Sequence, residues 1–310
     1  MKIIVACGGT SGEREVSLRS GAAVAEALNL AGIEAVCEDV TSIRAFLERW
    51  DAFKADGVFI ALHGGWGEDG RFQAALEAWG IPYTGSGPMG CLLAMDKGVS
   101  RTLFHQAGIP IAPGLTLAKG DGPFNPGAWL RDWGKVVIKP CCGGSTIGIT
   151  IAQTPSDIER GLALAWEMDS RVVVEKFIEG TELTVAVCEM DSGLTAWPVI
   201  EMRPISGFYD YESKYTRGST EYICPAPLSA AVTSELQRLA VLAHSTLSCD
   251  VYSRVDFRLT PQGEPFILEV NTAPGMTGTS LVPKAALAAG LSFGELLLHL
   301  IKISKGLKRG

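Results

Sequence analysis

The stretch Arg254-Val-Asp-Phe-Arg-Leu-Thr-Pro-Gln-Gly-Glu-Pro-Phe-Ile-Leu-Glu-Val-Asn271 decides the fold. It reads as a β-hairpin, with Pro261-Gln-Gly263 as the turn, because Pro fixes φ and Gly permits positive φ. Side chains alternate faces along a strand. Val255, Phe257 and Leu259 therefore share one face, as do Phe266, Leu268 and Val270, and this face is apolar. The opposite face gathers Asp256, Glu269 and Asn271, with Arg254 beside them. Two carboxylates and an amide oxygen suit a hard cation such as Mg²⁺, with Mn²⁺ as an alternative. A half-buried strand pair with a solvated polar face explains the same alternation. The adjoining loop, Asn271-Thr-Ala-Pro-Gly-Met-Thr-Gly-Thr-Ser280, favours the site. It adds backbone N–H and hydroxyl donors where the cation would sit, an arrangement suited to phosphate or an oxyanion.

The 310 residues suffice for two or three ordinary domains. A formal charge of −7 argues against nucleic acid, which requires a basic patch. No apolar run is long enough for a transmembrane helix, so no membrane partner is expected. The opening Met1-Lys-Ile-Ile-Val-Ala-Cys-Gly-Gly9 breaks at its glycines and reads as a first strand, not a signal segment. The 8 cysteines include no CxxC pair. Free thiols in a reducing cytoplasm are the expectation.

Outward from the hairpin, Lys2–Ala6 is a β-branched run followed by a glycine loop, Cys7-Gly-Gly-Thr-Ser-Gly12, and a helical pattern ending at Gly32. Strand, glycine loop and helix open a parallel α/β domain, and ligands bind where such a loop meets the helix. Thr10-x-x-Glu13 matches a capping box, a bland explanation for Glu13. Ile33–Val40 and Gly57–Leu62 read as further strands, the second leading into His63-Gly-Gly-Trp-Gly-Glu-Asp-Gly70. This β–α–β order gives a small doubly wound domain over residues 1–94. His63-Gly-Gly65 is similar to the oxyanion loop of serine esterases, but no G-x-S-x-G elbow exists in the chain.

Lys135–Lys139 reads as a strand whose loop, Pro140-Cys-Cys-Gly-Gly-Ser-Thr-Ile-Gly148, offers an ammonium, N–H groups and hydroxyls to a phosphate. A plain surface hairpin is the alternative, and Walker A is absent. Arg171–Phe177 is a strand on which Glu175 stands beside Phe177, an acceptor next to an apolar wall that would suit an adenine edge. A solvated edge strand is the alternative. Phe208-Tyr-Asp-Tyr-Glu-Ser-Lys-Tyr215 is long and irregular, as functional lids often are.

Taken together, these blocks resemble the D-alanine–D-alanine ligase family of the ATP-grasp superfamily. The resemblance runs end to end through Gly8-Gly-Thr-Ser-Gly-Glu-Arg-Glu-Val-Ser-Leu18, Tyr83-Thr-Gly-Ser-Gly87, Met95-Asp-Lys97, Arg254-Val-Asp256 and Leu268-Glu-Val-Asn-Thr-Ala-Pro-Gly-Met-Thr277. It implies an N-terminal doubly wound parallel α/β domain (1–94) followed by a two-subdomain ATP-grasp fold (95–180 and 181–310). ATP would lie between the two subdomains. The implied reaction joins two D-alanines through an acyl phosphate, for peptidoglycan precursors, in a cytoplasmic homodimer.

The same resemblance implies roles residue by residue. Lys97, Lys139 and Lys214 would contact ATP phosphates. Glu175 would accept from the adenine amino group, with Phe177 and Ile178 offering backbone and Glu182 binding ribose. Asp256, Glu269 and Asn271 would be the Mg²⁺ ligands. Arg254 and the Gly275 N–H would stabilise the tetrahedral oxyanion. Glu13 would anchor the first alanine's ammonium, in a chain with Ser145 and Tyr215. His63 would line the first alanine site, and Ser280 would meet the second alanine's carboxylate. Tyr215 is the dipeptide-type residue, favouring D-alanine over D-lactate as acceptor; a D-lactate or other D-amino-acid ligase is the alternative. A binding protein with a degenerate site is disfavoured because the metal set and Arg254 are intact. A dinucleotide oxidoreductase is disfavoured because G-x-G-x-x-G is missing. Two departures stand out: Cys141-Cys142-Gly143 in the phosphate loop, where relatives carry polar or charged residues, and Gly278-Thr279 before Ser280.

Overall fold

The computed structural model describes residues 1–144, 147–205 and 218–307. Its first sheet is parallel, in the order β2-β1-β3, from Lys2–Cys7 (β1), Glu34–Asp39 (β2) and Gly57–Ile60 (β3). Because β1 alternates, Ile3, Val5 and Cys7 enter one core while Ile4 and Ala6 enter another. Both faces are covered, which is why β1 is apolar at every position after Lys2. Helix Arg14–Leu30 packs Val24 and Leu28 on the first face, and the last helix, Phe293–Gly306, adds Leu296, Leu297 and Leu300 to that same core.

A second sheet, entirely antiparallel, runs β4-β7-β5-β6 from Gly114–Ala118 (β4), Val136–Pro140 (β5), Thr150–Ala152 (β6) and Arg171–Lys176 (β7). Helix Pro155–Met168, opened by a capping box between Thr154 and Asp157, buries Ile158, Leu162 and Ala165 against one face. The other face presents Lys139 and Glu175. β7 lies between β4 and β5, so Glu175 stands on a central strand and is buried; the solvated-edge alternative is overturned.

The third sheet is also antiparallel, ordered β11-β10-β8-β12-β13, with β9 added on β8. Its strands are Thr181–Met190 (β8), Gly193–Ala196 (β9), Ile200–Pro204 (β10), Thr220–Ile223 (β11), Tyr252–Leu259 (β12) and Pro265–Asn271 (β13). Helix Ala230–Thr246 covers Leu183, Val185, Val255 and Phe257 on one face. The opposite face carries Glu182, Thr184 and Asp256.

β12 and β13 form the expected hairpin, closed by the Gly263 N–H donating to Thr260 O at 2.9 Å with Gly263 at φ 86°. Arg254 pairs with Asn271 and Asp256 with Glu269, so these four side chains share a face as expected. Beyond them the register slips: Phe257 pairs with Ile267, leaving Leu268 as the extra residue of a β-bulge. This corrects the expectation that Phe266, Leu268 and Val270 share the apolar face. Ile267 goes into the core, and Leu268 turns to a cleft beside Asp256 and Glu269.

Candidate active site

Two clefts lie between these layers. One is walled by both antiparallel sheets, with Lys139, Glu175, Phe177 and Ile178 on one side and Glu182, Asp256, Arg258 and Leu268 on the other. The second, larger one runs between the first domain's loops and the Asn271–Lys284 segment, and includes Glu13, His63, Arg254, Gly275 and Ser280. They meet at Lys97, Gly143, Gly144 and Glu269, which line both.

Lys97 opens helix Lys97–Gln106, whose N-cap Asp96 accepts from the Val99 N–H. Its buried Nζ donates to Gly143 O at 2.6 Å and stands 3.2 Å from Glu269 Oε2. Burial works against this ammonium, but the Glu269 carboxylate outweighs it and raises the lysine's pKa. Lys139 Nζ lies 2.5 Å from Glu175 Oε1, and Arg101 bonds the other carboxylate oxygen. Arg101 went unrecognised in the sequence, although it lies four residues after Lys97 on the same helical face. The Phe177 N–H is taken by Lys135 O at 2.9 Å, so its carbonyl is what it can offer a ligand. Glu182 receives Arg258 Nη2 at 2.6 Å, and the Arg258 guanidinium lies 5.1 Å from the Phe177 ring centre.

Asp256 is held bidentately by Arg254 and also accepts from Thr184 Oγ1 at 2.6 Å. Thr184 is its partner in the β8 register, a long-range pairing with no local sequence signal. Asn271 Oδ1 accepts the Ala273 N–H at 2.9 Å, folding the loop back onto the strand. Among the described residues no three His, Cys, Asp or Glu side chains are gathered for a metal. The hairpin register sets Asp256, Glu269 and Asn271 on one face, and oxygen donors of this kind fit a hard cation.

The larger cleft is built on buried polar contacts. His63 Nδ1 donates to Ala273 O at 2.9 Å, because a carbonyl can only accept. Its Nε2 then accepts from Ser20 Oγ at 2.9 Å. Burial holds the ring neutral by lowering its pKa. His63 lines the cleft, and both ring nitrogens are engaged in pinning the 272–276 loop to helix Arg14–Leu30. Glu68, unassigned from the sequence, accepts the Gly64 N–H at 2.8 Å; burial, then the nearby charge of Glu13, pushes its carboxyl up to about 8. The capping-box reading of Glu13 is corrected: it is itself the N-cap residue, with no side-chain cap bond, and the Thr10 hydroxyl instead accepts from Trp66 Nε1. The Glu13 carboxylate lies against two glycines. A Cβ on Gly64 would meet its Oε2 at 2.7 Å, and one on Gly144 at 3.2 Å. Ser280 precedes helix Leu281–Ala288, its Oγ accepting the Thr277 N–H at 3.0 Å, and a Cβ on Gly275 would meet that Oγ at 3.1 Å. Ser145, Lys214 and Tyr215 lie outside the described residues.

A doubly wound parallel domain followed by two antiparallel sheets that enclose a lysine- and carboxylate-lined cleft defines the ATP-grasp class. Comparisons narrow the class. The family models for the D-ala D-ala ligase C-terminus and N-terminus match residues 103–302 and 44–86. A D-alanine–D-alanine ligase from Halalkalibacterium halodurans is 44% identical, covering 98% of this chain and 99% of its own. One from Pseudoalteromonas translucida is 45% identical over 97% and 96%. The crystal structure of the Bacillus anthracis D-alanine–D-alanine ligase superposes with a TM-score of 0.87 at 34% identity, covering 99% and 98% of the two chains; its complex with ATP gives 0.85 at 32%, over 99% and 98%. The Enterococcus faecalis D-Ala:D-Ser ligase VanG gives 0.81 at 32%, over 98% and 99%. This chain belongs to the D-alanine–D-alanine ligase family.

Proposed function

We propose that the protein joins two D-alanines into D-alanyl-D-alanine at the expense of ATP, supplying peptidoglycan precursors. The single observation that carries this reading is the meeting of the two clefts at Lys97, Gly143, Gly144 and Glu269. A nucleotide in one cleft would then present its terminal phosphate to an amino acid in the other. We also propose the division into residues 1–94, 95–180 and 181–310, a cytoplasmic homodimer, and no nucleic-acid or membrane partner. Among the described residues no single helix is long and apolar enough to cross a membrane, and all eight cysteines are free.

In the first step the carboxylate of one D-alanine attacks the γ-phosphate, the bond to ADP breaks, and an acyl phosphate forms. Such transfer depends on positioning and charge neutralisation. Lys97 and Lys139, with Lys214, supply the positive charge, while Glu175, the Phe177 and Ile178 backbone and Glu182 hold adenosine. Asp256, Glu269 and Asn271 would hold Mg²⁺, or Mn²⁺, which when bound offsets phosphate charge. In the second step the amine of the other D-alanine attacks the acyl carbonyl and phosphate leaves. Arg254 and Gly275 line the cleft, and the Arg254 guanidinium and the Gly275 N–H would donate to the tetrahedral oxyanion, the group whose charge develops in that step. Glu13, with Ser145 and Tyr215, receives the first alanine's ammonium. Its proximity to Gly144 supports a link between the first domain and the phosphate loop. His63 shapes that site, and Ser280 meets the second carboxylate.

A second reading keeps the chemistry and changes the acceptor to D-serine or D-lactate. The likeness to VanG, a D-Ala:D-Ser ligase, and the small Gly278-Thr279 pair favour testing it. The experiment is phosphate release with ATP, Mg²⁺ and D-alanine alone, then with D-serine or D-lactate added, and L-alanine as control. D-alanine alone should drive release and yield the dipeptide. Release only with a second acceptor would replace the reading.

A further inference from the structure

We infer that Lys284 is the charge partner of the acceptor's carboxylate and hence a specificity-determining residue; this rests on reading the larger cleft as the ligase's amino-acid site. Among the described residues, four basic side chains, Arg19, Lys97, Arg254 and Lys284, line that cleft. Lys97 and Arg254 are committed to Glu269 and Asp256. Arg19 is exposed to solvent. Lys284 is half-buried, and among the described residues no carboxylate lies within ion-pair distance of it, whereas Lys2, Lys135, Lys139 and Lys302 all pair with one at 3.1 Å or less.

Its place in the helix explains why it points into the cleft. Lys284 lies four residues beyond Ser280, and its N–H donates to Ser280 O at 3.0 Å. Residues four apart share a helical face, and helical side chains lean toward the N-terminus. Lys284 thus follows Ser280 by one turn, and both line the cleft. The Lys284 Nζ lies 5.7 Å from the ring centre of Tyr222 on β11, which lines the cleft too. An α-amino acid is a zwitterion. The Glu13 carboxylate lies against Gly64, suited to an ammonium. Lys284 gives the cleft a cation beside Ser280, suited to the opposite end of an acceptor.

The test compares D-alanine with D-alaninamide as acceptor, the latter having the same amine but no charged carboxylate. Wild type, Lys284→Met, Lys284→Gln and Lys284→Arg would be assayed with ATP, Mg²⁺ and D-alanine as donor. Wild type should favour D-alanine. Lys284→Met and Lys284→Gln should lower kcat/KM for D-alanine as acceptor by roughly ten- to a hundredfold, the worth of a charge-assisted hydrogen bond. They should leave D-alaninamide, the first-site KM and the KM for ATP unchanged, and Lys284→Arg should restore most of the preference. An equal loss on both acceptors, or no change in their ratio, would overturn the role of Lys284 while wild-type turnover still upholds the ligase reading. No phosphate release from wild type with D-alanine would sink both.

Discussion

Arg254 and Asp256, two residues apart on one strand, are joined by two parallel hydrogen bonds, Nε to Oδ1 at 2.9 Å and Nη2 to Oδ2 at 2.7 Å. Asp256 lines the smaller cleft and Arg254 the larger, so the pair ties the two together. Arg254→Ala should reduce kcat by about 10²–10³, the usual loss for an oxyanion donor, while calorimetry still detects ATP binding. Arg254→Lys should not restore activity, because an ammonium cannot reproduce the planar two-bond fork. Full activity in either variant would remove Arg254 from the chemistry.

Arg101 and Lys139 hold Glu175 from two sides, all three side chains being at least nine-tenths buried. Arg101→Met leaves a buried carboxylate with half its compensation. Breaking a buried pair costs about 3 kcal/mol or more. Urea denaturation should show a loss of that order, and the KM for ATP should rise. A variant as stable as wild type would mean that Glu175 finds a replacement partner.

His244 is buried, bonded through Nδ1 to Ser253 Oγ at 2.8 Å, and burial lowers its pKa to about 4. The folded state thus resists a proton that the unfolded chain accepts near pH 6.5. Stability from this residue is complete above pH 6.5 and is lost as pH falls toward 4. Between pH 7 and pH 5 the loss should be about 2 kcal/mol. His244→Gln should flatten that slope in paired denaturation curves; an unchanged slope would assign the acid sensitivity elsewhere.

Cys142 is exposed beside Gly143, yet partial desolvation, and after it the nearby Asp169 charge, pushes its thiol up to about 11. Only the thiolate is nucleophilic. Iodoacetamide should therefore label it slowly at pH 7.5 and faster as pH approaches 11. Labelling and mass spectrometry at the two pH values check this, and rapid modification at pH 7.5 would contradict it.

The polar face of the hairpin was legible in the sequence because Arg254, Asp256, Glu269 and Asn271 obey strict alternation up to the bulge. The bulge was not, since apolar residues at 266, 267, 268 and 270 satisfy either register and only tertiary packing chooses Ile267 for the core. The first sheet was legible for the opposite reason: a strand covered on both faces is apolar along its length. Thr184, Arg101 and Glu68 act through partners 72, 74 and 4 residues away. The two long-range pairings arise from how the strands and helices stack. The Glu68 contact is local, and what hid it was the irregular glycine-rich turn in which it sits. The Thr10–Glu13 spacing misled because the helix begins later than that capping box needs, which leaves Glu13 as the N-cap residue at the cleft wall.

The shared core of β1 and the last helix has a consequence for synthesis on the ribosome. Ile3, Val5 and Cys7 are made first, but the Leu296, Leu297 and Leu300 side chains that bury their face are made nearly three hundred residues later. Until then that sheet face has no full cover, and for most of that interval the 272–276 loop that His63 anchors has not been made either. A nascent chain halted before residue 293 should expose this apolar face to chaperones, and the amino-acid site should close only as translation finishes.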